Sequence, residues 1–291
     1  MVSKKLEAGV IGLGAMGAPM ARHLADAGLL GMVWNRTSNK AEALAQETGT
    51  LAADTPEQLA SACNVILICV SADQDLLDVV EQLLPGVKPG CVVADMSTVS
   101  PSTARQVSAS LQEVGASLVD APVSGGVEGA NKGTLSVMAG GDSTNISRIM
   151  PVLEAISASV THMGPVGFGQ ATKAVNQVMI AGIAEAVCEA LALSEKLNLP
   201  SERLLSVVGA GAAGSWFLGH RGQTMLENEF NVGFKLSLLL KDLLICQTLA
   251  QELDISIPTV EAAINDYRKL VELGDGDHDI SGLIRLKRGP D

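Results

Sequence analysis

Short apolar runs rich in β-forming residues alternate with amphipathic stretches through the first 165 residues of the chain. The apolar runs predict six strands, at residues 7–12, 31–35, 64–70, 91–97, 117–122 and 134–140. The intervening stretches have the Ala and Leu spacing that is typical of helices. Strands that alternate with helices build a mostly parallel sheet, and the uninterrupted run VILICV fits a strand that is covered on both faces.

The pattern changes near residue 165, after which the remaining stretches have helical spacing. Residues 168–197 predict one long helix that ends before Asn198-Leu199-Pro200, a common stop signal. A chain of 291 residues is long enough for two domains. We therefore predict an α/β domain with a doubly wound sheet over residues 1–165 and an all-α domain over residues 166–291, joined through this long helix.

Composition argues against several classes of function. The chain carries 32 acidic against 20 basic residues and few aromatic ones, which argues against a nucleic-acid surface. It has no run of 18 apolar residues and passes directly from its N-terminus into the first predicted strand, so we expect a cytoplasmic protein that does not span a membrane. Its five scattered cysteines predict reduced, buried thiols, and its four histidines lack ligand spacing, so we expect no metal site.

The run GLGAMG follows the first predicted strand and opens the first predicted helix. In that context Gly12 permits a tight turn, Gly14 lets backbone amides approach a pyrophosphate, and Gly17 allows close helix–strand packing. The helix N-terminus adds a positive potential for the phosphates. The run therefore predicts a dinucleotide site, and a glycine-rich turn without a nucleotide is the alternative.

The second predicted strand ends at Asn35-Arg36-Thr37, the place where a dinucleotide-binding fold sets its choice of cofactor. An acidic side chain there would bind the ribose 2′-hydroxyl and repel a 2′-phosphate. A neutral amide, a guanidinium and a hydroxyl suit a 2′-phosphate instead, so NADP is favoured over NAD. The alternative is that Arg36 is an ordinary surface arginine.

The run DAPVSGG ends another predicted strand with Ser124-Gly125-Gly126. These residues bring several backbone N–H groups and one hydroxyl together, and such an arrangement can hold a carboxylate without a charged side chain. Ser-Gly-Gly is also an ordinary turn, so the residues alone leave both interpretations open.

Polar residues on two helices are equally open to two interpretations. Lys173, Asn176 and Gln177 share one face of the long helix. A lysine in a cleft can serve as a proton donor because desolvation lowers its pKa, whereas a lone helical lysine is usually solvated. Lys241 and Asp242 interrupt an otherwise apolar helix, where such side chains can also extend to water.

Together, in this order and spacing, the motifs resemble the β-hydroxyacid dehydrogenase family, which includes 3-hydroxyisobutyrate dehydrogenase and tartronate semialdehyde reductase. The resemblance covers residues 7–285 and implies a Rossmann-type N-terminal domain followed by an all-α C-terminal domain. Within the family, GAGAAGSW at residues 209–216 is most similar to the glyoxylate and succinic semialdehyde reductases, which use NADPH. Gln177 departs from the second Asn that many 3-hydroxyisobutyrate enzymes have at this position.

The resemblance also implies roles for individual residues. It implies that Lys173 is the catalytic lysine and that Asn176 is the amide that orients the substrate, with Asp242 holding Lys173 in place. It implies that the cofactor site comprises Gly12, Leu13, Gly14, Ala15, Met16, Gly17, Asn35, Arg36, Thr37, Val70, Ser71, Thr98 and Lys241. It implies that the substrate site comprises Thr98, Ser124, Gly125, Gly126, Trp216, Phe234 and Asp242.

We therefore predict an oxidoreductase that reduces a short oxo acid, glyoxylate or succinic semialdehyde, by hydride transfer from NADPH, with Lys173 as general acid. The first alternative is a dehydrogenase of 3-hydroxyisobutyrate or another β-hydroxyacid, such as a tartronate semialdehyde reductase. Imine reductases usually lack the lysine, and 6-phosphogluconate dehydrogenases have a longer helical domain. A scaffold that binds a dinucleotide without turnover is the most remote alternative. The small residues of the long helix predict a homodimer or homotetramer.

Overall fold

The computed structural model describes residues 6–231 and 233–289. The chain divides after Lys173 into two compact units, the first built on a sheet and the second built from helices. The strands of the first unit are β1 (Ala8–Ile11), β2 (Leu30–Trp34), β3 (Leu51–Ala52), β4 (Val65–Ile68), β5 (Val92–Asp95), β6 (Ser117–Asp120), β7 (Val123–Ser124), β8 (Leu135–Gly140) and β9 (Ser157–Gly164). A Rossmann-type α/β fold followed by helices confirms the predicted fold class.

The described strands form one mixed sheet in the order β3-β2-β1-β4-β5-β6-β8-β7, with β9 paired to β8. Every pair from β3 to β6 is parallel, whereas β8 runs antiparallel to β6 and to β7. The chain moves outward from β1 to β3, then crosses back to β4 and moves outward in the other direction. Ligands of such sheets bind at this reversal, outside the carboxyl ends of the strands. We therefore expect a ligand-binding site outside the carboxyl ends of β1 and β4.

Two apolar cores cover the two faces of the sheet. Successive residues of β4 alternate between them, since Val65 and Leu67 belong to one core and Ile66 and Ile68 to the other. All four are fully buried, which agrees with the prediction that VILICV is covered on both faces. Burial also raises the pKa of the Cys63 thiol, in the second of these cores, to about 12.

The helices of the first unit connect the strands, and those of the second unit follow one another along the chain. The helices are α1 (Gly17–Asp26), α2 (Ser38–Thr48), α3 (Pro56–Ala62), α4 (Asp73–Leu83), α5 (Pro101–Glu113), α6 (Gly126–Lys132), α7 (Ser143–Glu154), α8 (Phe168–Lys196), α9 (Ser201–Gly209), α10 (Trp216–Leu226), α11 (Leu236–Glu252), α12 (Pro258–Glu272) and α13 (Ile284–Lys287). The long helix α8 matches the prediction for residues 168–197 to within one residue.

The sequence analysis did not predict β3, β7 or β9, and the local sequence explains each omission. The strands β3 and β7 contain two residues each, which is too short for an alternating pattern to appear. The strand β9 contains eight residues but buries none of them fully, so its sequence SASVTHMG lacks the alternation of a half-buried strand. Its pairing with β8 holds it in the sheet.

The second unit has a core of its own, built from α8, α10, α11, α12 and the segment 280–284. Tyr267 is fully buried there, and its hydroxyl donates a hydrogen bond to the carbonyl of Ile280 over 3.3 Å. A buried ion pair joins Arg221 to Asp279, with Nε 3.3 Å from Oδ2. The same Asp279 carboxylate accepts the backbone N–H of Phe234, so this pair fixes the chain just before α11.

Within the described residues, one helix, α8, is long and apolar enough to cross a membrane by length and composition. Half of its most apolar window is buried inside the protein, and a core helix of a soluble protein passes the same test. The helix begins in the sheet-containing unit and continues into the helical one, where its residues join the core. The cytoplasmic location stays a prediction.

Candidate active site

The glycine-rich turn lies at the carboxyl end of β1 and leads into α1. Gly12 has a φ of +89°, and a Cβ there would lie 2.1 Å from the carbonyl oxygen of Cys69. A Cβ on Gly17 would lie 1.9 Å from the carbonyl oxygen of Gly12. The fold itself thus requires glycine at these two positions, because any side chain would collide with backbone.

Gly14 differs from its two neighbours in the turn. A Cβ on Gly14 would have no atom of the described residues within 4 Å, so the packing of the protein does not require glycine at this position. A glycine that faces open space at a helix N-terminus leaves room for a pyrophosphate to approach the backbone. Among the described residues no side chain caps α1 at Met16. The N–H of Ala18 donates to the carbonyl of Gly14 over 3.2 Å and Pro19 has no N–H, so the donors that suit an anion are those of Gly17 and of the turn before it. The turn therefore fits the phosphates of a dinucleotide.

The residues after β2 form the second part of the predicted cofactor site. The guanidinium of Arg36 is 86% exposed and contacts Asp75 over 3.2 Å, a surface ion pair of small energy. Thr37 is the N-cap of α2, yet within the described part of the chain its hydroxyl makes no capping hydrogen bond. A cavity of about 170 Å³ adjoins this turn, lined in part by Trp34, Ser38 and Asp54. A charged side chain, a hydroxyl and a helix N-terminus thus lie close together at this edge of the sheet.

The carboxyl ends of β4 and β5 supply three further predicted residues. The N–H of Val70 donates to the hydroxyl of Ser97 over 2.9 Å, which joins the two strand ends. Ser71 follows Val70 and is exposed, and Thr98 follows Ser97 and is half-buried. These residues continue the row that begins at the glycine-rich turn, because β4 lies between β1 and β5.

Lys173 and the Ser124-Gly125-Gly126 loop meet in the first unit. The Nζ atom of Lys173 donates to the carbonyl of Val123 over 2.8 Å, and Lys173 is 8% exposed. Gly125 and Gly126 have φ values of +124° and +61° and lead into α6, so the loop depends on glycine for its shape. The predicted proton donor therefore lies against the residue that precedes the predicted carboxylate loop.

A network of buried polar groups holds the first turn of α8, and with it Lys173. The two carboxylate oxygens of Asp120 accept the N–H groups of Gly167 over 2.8 Å and of Gln170 over 2.9 Å. The Gln170 amide donates to Asp95 over 3.3 Å and to the carbonyl of Ser97 over 2.8 Å. Burial raises the pKa of Asp120, although the backbone N–H groups that point at it act in the opposite direction. Asp95, Asp120 and Gln170 are each at most 1% exposed.

Sequence reasoning did not identify Asp95, Asp120 or Gln170 as site residues. A signal was present, because Asp95 and Asp120 each end an apolar strand whose other residues lie in the core or at its border. A carboxylate at such a position is buried and needs donors, and those donors come from the first turn of α8.

The second unit carries the other predicted polar residues. The Asn176 amide donates to Gln177 over 2.8 Å, and the Gln177 amide donates to Asp242 over 2.6 Å. The second carboxylate oxygen of Asp242 lies 2.9 Å from Nζ of Lys241. Gln177 and Asp242 are buried, so this chain of hydrogen bonds gives the side chain of Asn176 a fixed partner.

The predicted aromatic residues also belong to the second unit. Trp216 begins α10, is 51% exposed and stacks on His220 with 4.2 Å between the ring centroids. The guanidinium of Arg221 lies 5.3 Å from the centre of the Trp216 ring. Phe234 is half-buried, and the bond from its backbone to Asp279 holds it in place.

Two family models match the chain in succession. The NAD-binding domain of 6-phosphogluconate dehydrogenase matches residues 7–164, and the NAD-binding region of NADP-dependent 3-hydroxyisobutyrate dehydrogenase matches residues 167–287. The chain belongs to the β-hydroxyacid dehydrogenase family. It is an oxidoreductase that acts on CH–OH groups and uses NAD(P), as the sequence predicted.

Known β-hydroxyacid dehydrogenases match nearly the full length of the chain. It is 33% identical to 2-hydroxy-3-oxopropionate reductase of Escherichia coli, over 96% of each protein. It is 32% identical to NAD-dependent L-serine dehydrogenase of Pseudomonas aeruginosa, over 95% of this chain and 96% of that protein. The solved structure of Mycobacterium tuberculosis 3-hydroxyisobutyrate dehydrogenase with L-serine is 29% identical, with a TM-score of 0.88, and covers 98% of this chain and 100% of its own.

Membership of the family states the class of reaction and leaves the substrate and the preferred nucleotide open. One of these relatives is named for NAD, whereas the family model of the second half is named for NADP. Their named substrates are also different small acids. The substrate and the preferred nucleotide therefore depend on the individual residues of this β-hydroxyacid dehydrogenase.

Proposed function

We propose that this enzyme reduces a short aldehyde that carries a carboxylate, such as glyoxylate or succinic semialdehyde, to the hydroxy acid with NADPH. The observation that carries the proposal is the contact of 2.8 Å between Nζ of Lys173 and the carbonyl of Val123. It sets a buried ammonium group beside the Ser124-Gly125-Gly126 loop, so a proton donor and a carboxylate holder lie next to each other. A small acid with a carbonyl group a short distance from its carboxylate can contact both.

NADPH held by the glycine-rich turn and by the residues after β2 would supply a hydride for the carbonyl carbon of the substrate. As negative charge develops on the carbonyl oxygen, Lys173 donates the proton that neutralises it. A positioned general acid typically contributes about 10²–10⁴-fold to the rate. The N–H groups of Gly125 and Gly126 and the hydroxyl of Ser124 hold the carboxylate, which limits the orientations in which the carbonyl can react.

Asn176 lies three residues after Lys173 on α8, so the two side chains share one face of the helix. We assign Asn176 to orienting the substrate carbonyl. The bonds that run from Asn176 through Gln177 to Asp242 support this role, because they hold the amide in one orientation. Trp216 and Phe234 would limit the size of the substrate. Thr98 would contact both the cofactor and the substrate, and Lys241 would contact the cofactor.

The preference for NADP rests on the residues after β2. Arg36 is largely exposed and can turn toward a 2′-phosphate, and the uncapped N-terminus of α2 at Thr37 favours an anion. A β2 that ended in a carboxylate would favour the 2′-hydroxyl of NAD instead.

A second candidate function is that of a dehydrogenase or reductase for a branched or hydroxylated three-carbon acid, such as 3-hydroxyisobutyrate or tartronate semialdehyde. The 33% identity to the 2-hydroxy-3-oxopropionate reductase favours it. Both functions use the same Lys173 and Ser124–Gly126 groups, so a panel of substrates distinguishes them.

The test measures initial rates of NADPH and NADH oxidation with glyoxylate, succinic semialdehyde and tartronate semialdehyde for the wild type, Lys173→Ala and Lys196→Ala. Lys196 is exposed at the end of the same helix and serves as the matched control. We expect Lys173→Ala to lose at least about 100-fold in kcat, and Lys196→Ala to keep the wild-type value. A folded Lys173→Ala enzyme that binds NADPH and keeps its kcat would contradict the mechanism. A clear preference for tartronate semialdehyde would favour the second candidate.

A further inference from the structure

Both ends of the Asn35 amide are bonded inside the protein. Its Oδ1 atom accepts the N–H of Leu13 over 2.9 Å, and its Nδ2 atom donates to the carbonyl of Thr37 over 3.1 Å. We infer that Asn35 is a positioning residue that fixes the glycine-rich turn against the start of α2, and that it serves NAD and NADP alike. The inference deepens the proposed function, because it rests on the cofactor site described there.

The first bond lies directly after the end of the pairing between β1 and β2. The parallel pairing of β1 with β2 ends where Ile11 faces Trp34, and the N–H of Gly12 still donates to the carbonyl of Trp34 over 3.0 Å. The next N–H, that of Leu13, is bonded by the Asn35 side chain. The amide thus links β1 to β2 at the point where the two strands separate, and it fixes the direction in which the glycine-rich turn leaves the sheet.

The second bond fixes the other loop of the site. The carbonyl of Thr37 accepts from Nδ2 of Asn35 and also from the N–H of Lys40 in the first turn of α2. Asn35 is therefore joined at one end to the turn that suits the pyrophosphate and at the other to the residues that suit the 2′-phosphate.

Only an amide can make both bonds. Aspartate at position 35 could accept the N–H of Leu13, but it would set a carboxylate against the carbonyl of Thr37. An alanine would make neither bond. Because the pyrophosphate is common to NAD and NADP, a change that loosens the glycine-rich turn weakens the binding of both. A substitution of Arg36, by contrast, weakens the binding of NADP alone, because only NADP carries the 2′-phosphate.

The test measures the Kd values of NADP⁺ and NAD⁺ by calorimetry for the wild type, Asn35→Ala, Asn35→Asp and Arg36→Ala. We expect Asn35→Ala to weaken both nucleotides by a similar factor of about five- to tenfold, the effect of losing one or two hydrogen bonds. Asn35→Asp should keep NAD⁺ within about threefold of the wild type, because the bond to Leu13 survives, and should weaken NADP⁺ through charge repulsion. Arg36→Ala should weaken NADP⁺ alone.

Hydrogen exchange of the Leu13 amide gives a readout without any nucleotide. Exchange should be faster in Asn35→Ala and unchanged in Asn35→Asp and Arg36→Ala. If Asn35→Ala weakens NADP⁺ only, and exchange at Leu13 is unchanged, Asn35 contacts the 2′-phosphate directly and the inference is overturned. Neither measurement uses an aldehyde, so a failure of the proposed substrate does not alter its outcome.

Discussion

At the scale of the residue, Asp120 shows how one buried carboxylate positions several parts of the site. Each of its oxygens accepts a different backbone N–H at the start of α8, three and six residues before Lys173. The chain crosses so closely there that a Cβ on Gly140 would lie 2.5 Å from Oδ1 of Asp120. The position of Lys173, the proposed general acid, thus depends on a residue for which we propose no step in the reaction.

We predict that Asp120→Asn lowers the free energy of unfolding by about 2–3 kcal/mol, because the asparagine NH₂ group would face at least one of the backbone N–H groups that now donate to the carboxylate. The matched control is Asp142→Asn at the N-cap of α7. Asp142 uses a single oxygen, Oδ1, for its two N–H bonds, so an asparagine keeps both and should cost about 0.5 kcal/mol or less. Urea unfolding of both variants measures the difference. If the two substitutions lowered the free energy of unfolding equally, the second oxygen of Asp120 would make no contribution to stability.

At the scale of the element, α8 connects the two units and carries both the proposed proton donor, Lys173, and the proposed orienting amide, Asn176. Its first turn packs against the sheet through Gly169, whose Cβ would lie 2.4 Å from the carbonyl oxygen of Met138 and 2.5 Å from that of Asp120. Farther along, Gly182 has only an ordinary contact, 3.6 Å from a methyl group of Thr259. The same helix therefore contains one glycine that the packing requires and one that it does not.

We predict that Gly169→Ala destabilises the protein, whereas Gly182→Ala does not. Gly169→Ala forces the helix start away from β6 and β8, so we expect a loss of about 2–4 kcal/mol in the free energy of unfolding and at least about tenfold in kcat. Gly182→Ala should be neutral or stabilising by up to about 1 kcal/mol, since alanine favours a helix. Thermal unfolding and steady-state rates check both. A fully active Gly169→Ala enzyme would show that the helix start can move without displacing Lys173.

At the scale of the whole molecule, the helical unit leaves an apolar stripe of α8 exposed. Its members are large side chains that are 59–63% exposed: Val175, Met179 and Leu193 on one face of α8, and Leu197 directly after its end. Gly182 and Ala186 lie between Met179 and Leu193 on this face, and so does the exposed Glu189. A groove of about 430 Å³ adjoins the stripe, and its lining includes Gly182, Ala186 and Ala262 together with the carboxylates Glu185 and Glu189. Several large apolar side chains exposed along one helix are typical of an interface in soluble proteins.

We predict that the stripe joins copies of this chain into a homodimer or homotetramer. The double variant Met179→Glu with Leu193→Glu should dissociate into single chains, because it buries charge in the contact. Leu51→Glu changes an equally exposed apolar residue, 64% exposed on β3, and should leave the assembly intact. Sedimentation velocity of the three proteins tests this. A wild type that sediments as single chains would contradict the prediction. Dissociation by Leu51→Glu would also contradict it, because it would show that the interface includes β3.

The sequence by itself determined the features that repeat locally. Apolar runs predicted six of the strands, the glycine spacing predicted the turn after β1, and unbroken helical spacing predicted α8. Each of these signals lies within a few residues of the feature that it predicts. The family resemblance then named the reaction class, which the family models and relatives confirm.

The tertiary structure alone decided which polar groups meet. Asp120 accepts from Gly167 across 47 residues, Gln170 reaches Asp95 across 75, and Asn35 reaches Leu13 across 22. Such partners leave no periodic pattern, because each bond joins strand ends and turns that only the sheet order brings together. Local sequence sets secondary structure through backbone preference and the spacing of apolar side chains, whereas a buried polar group finds its partner only after the chain has packed.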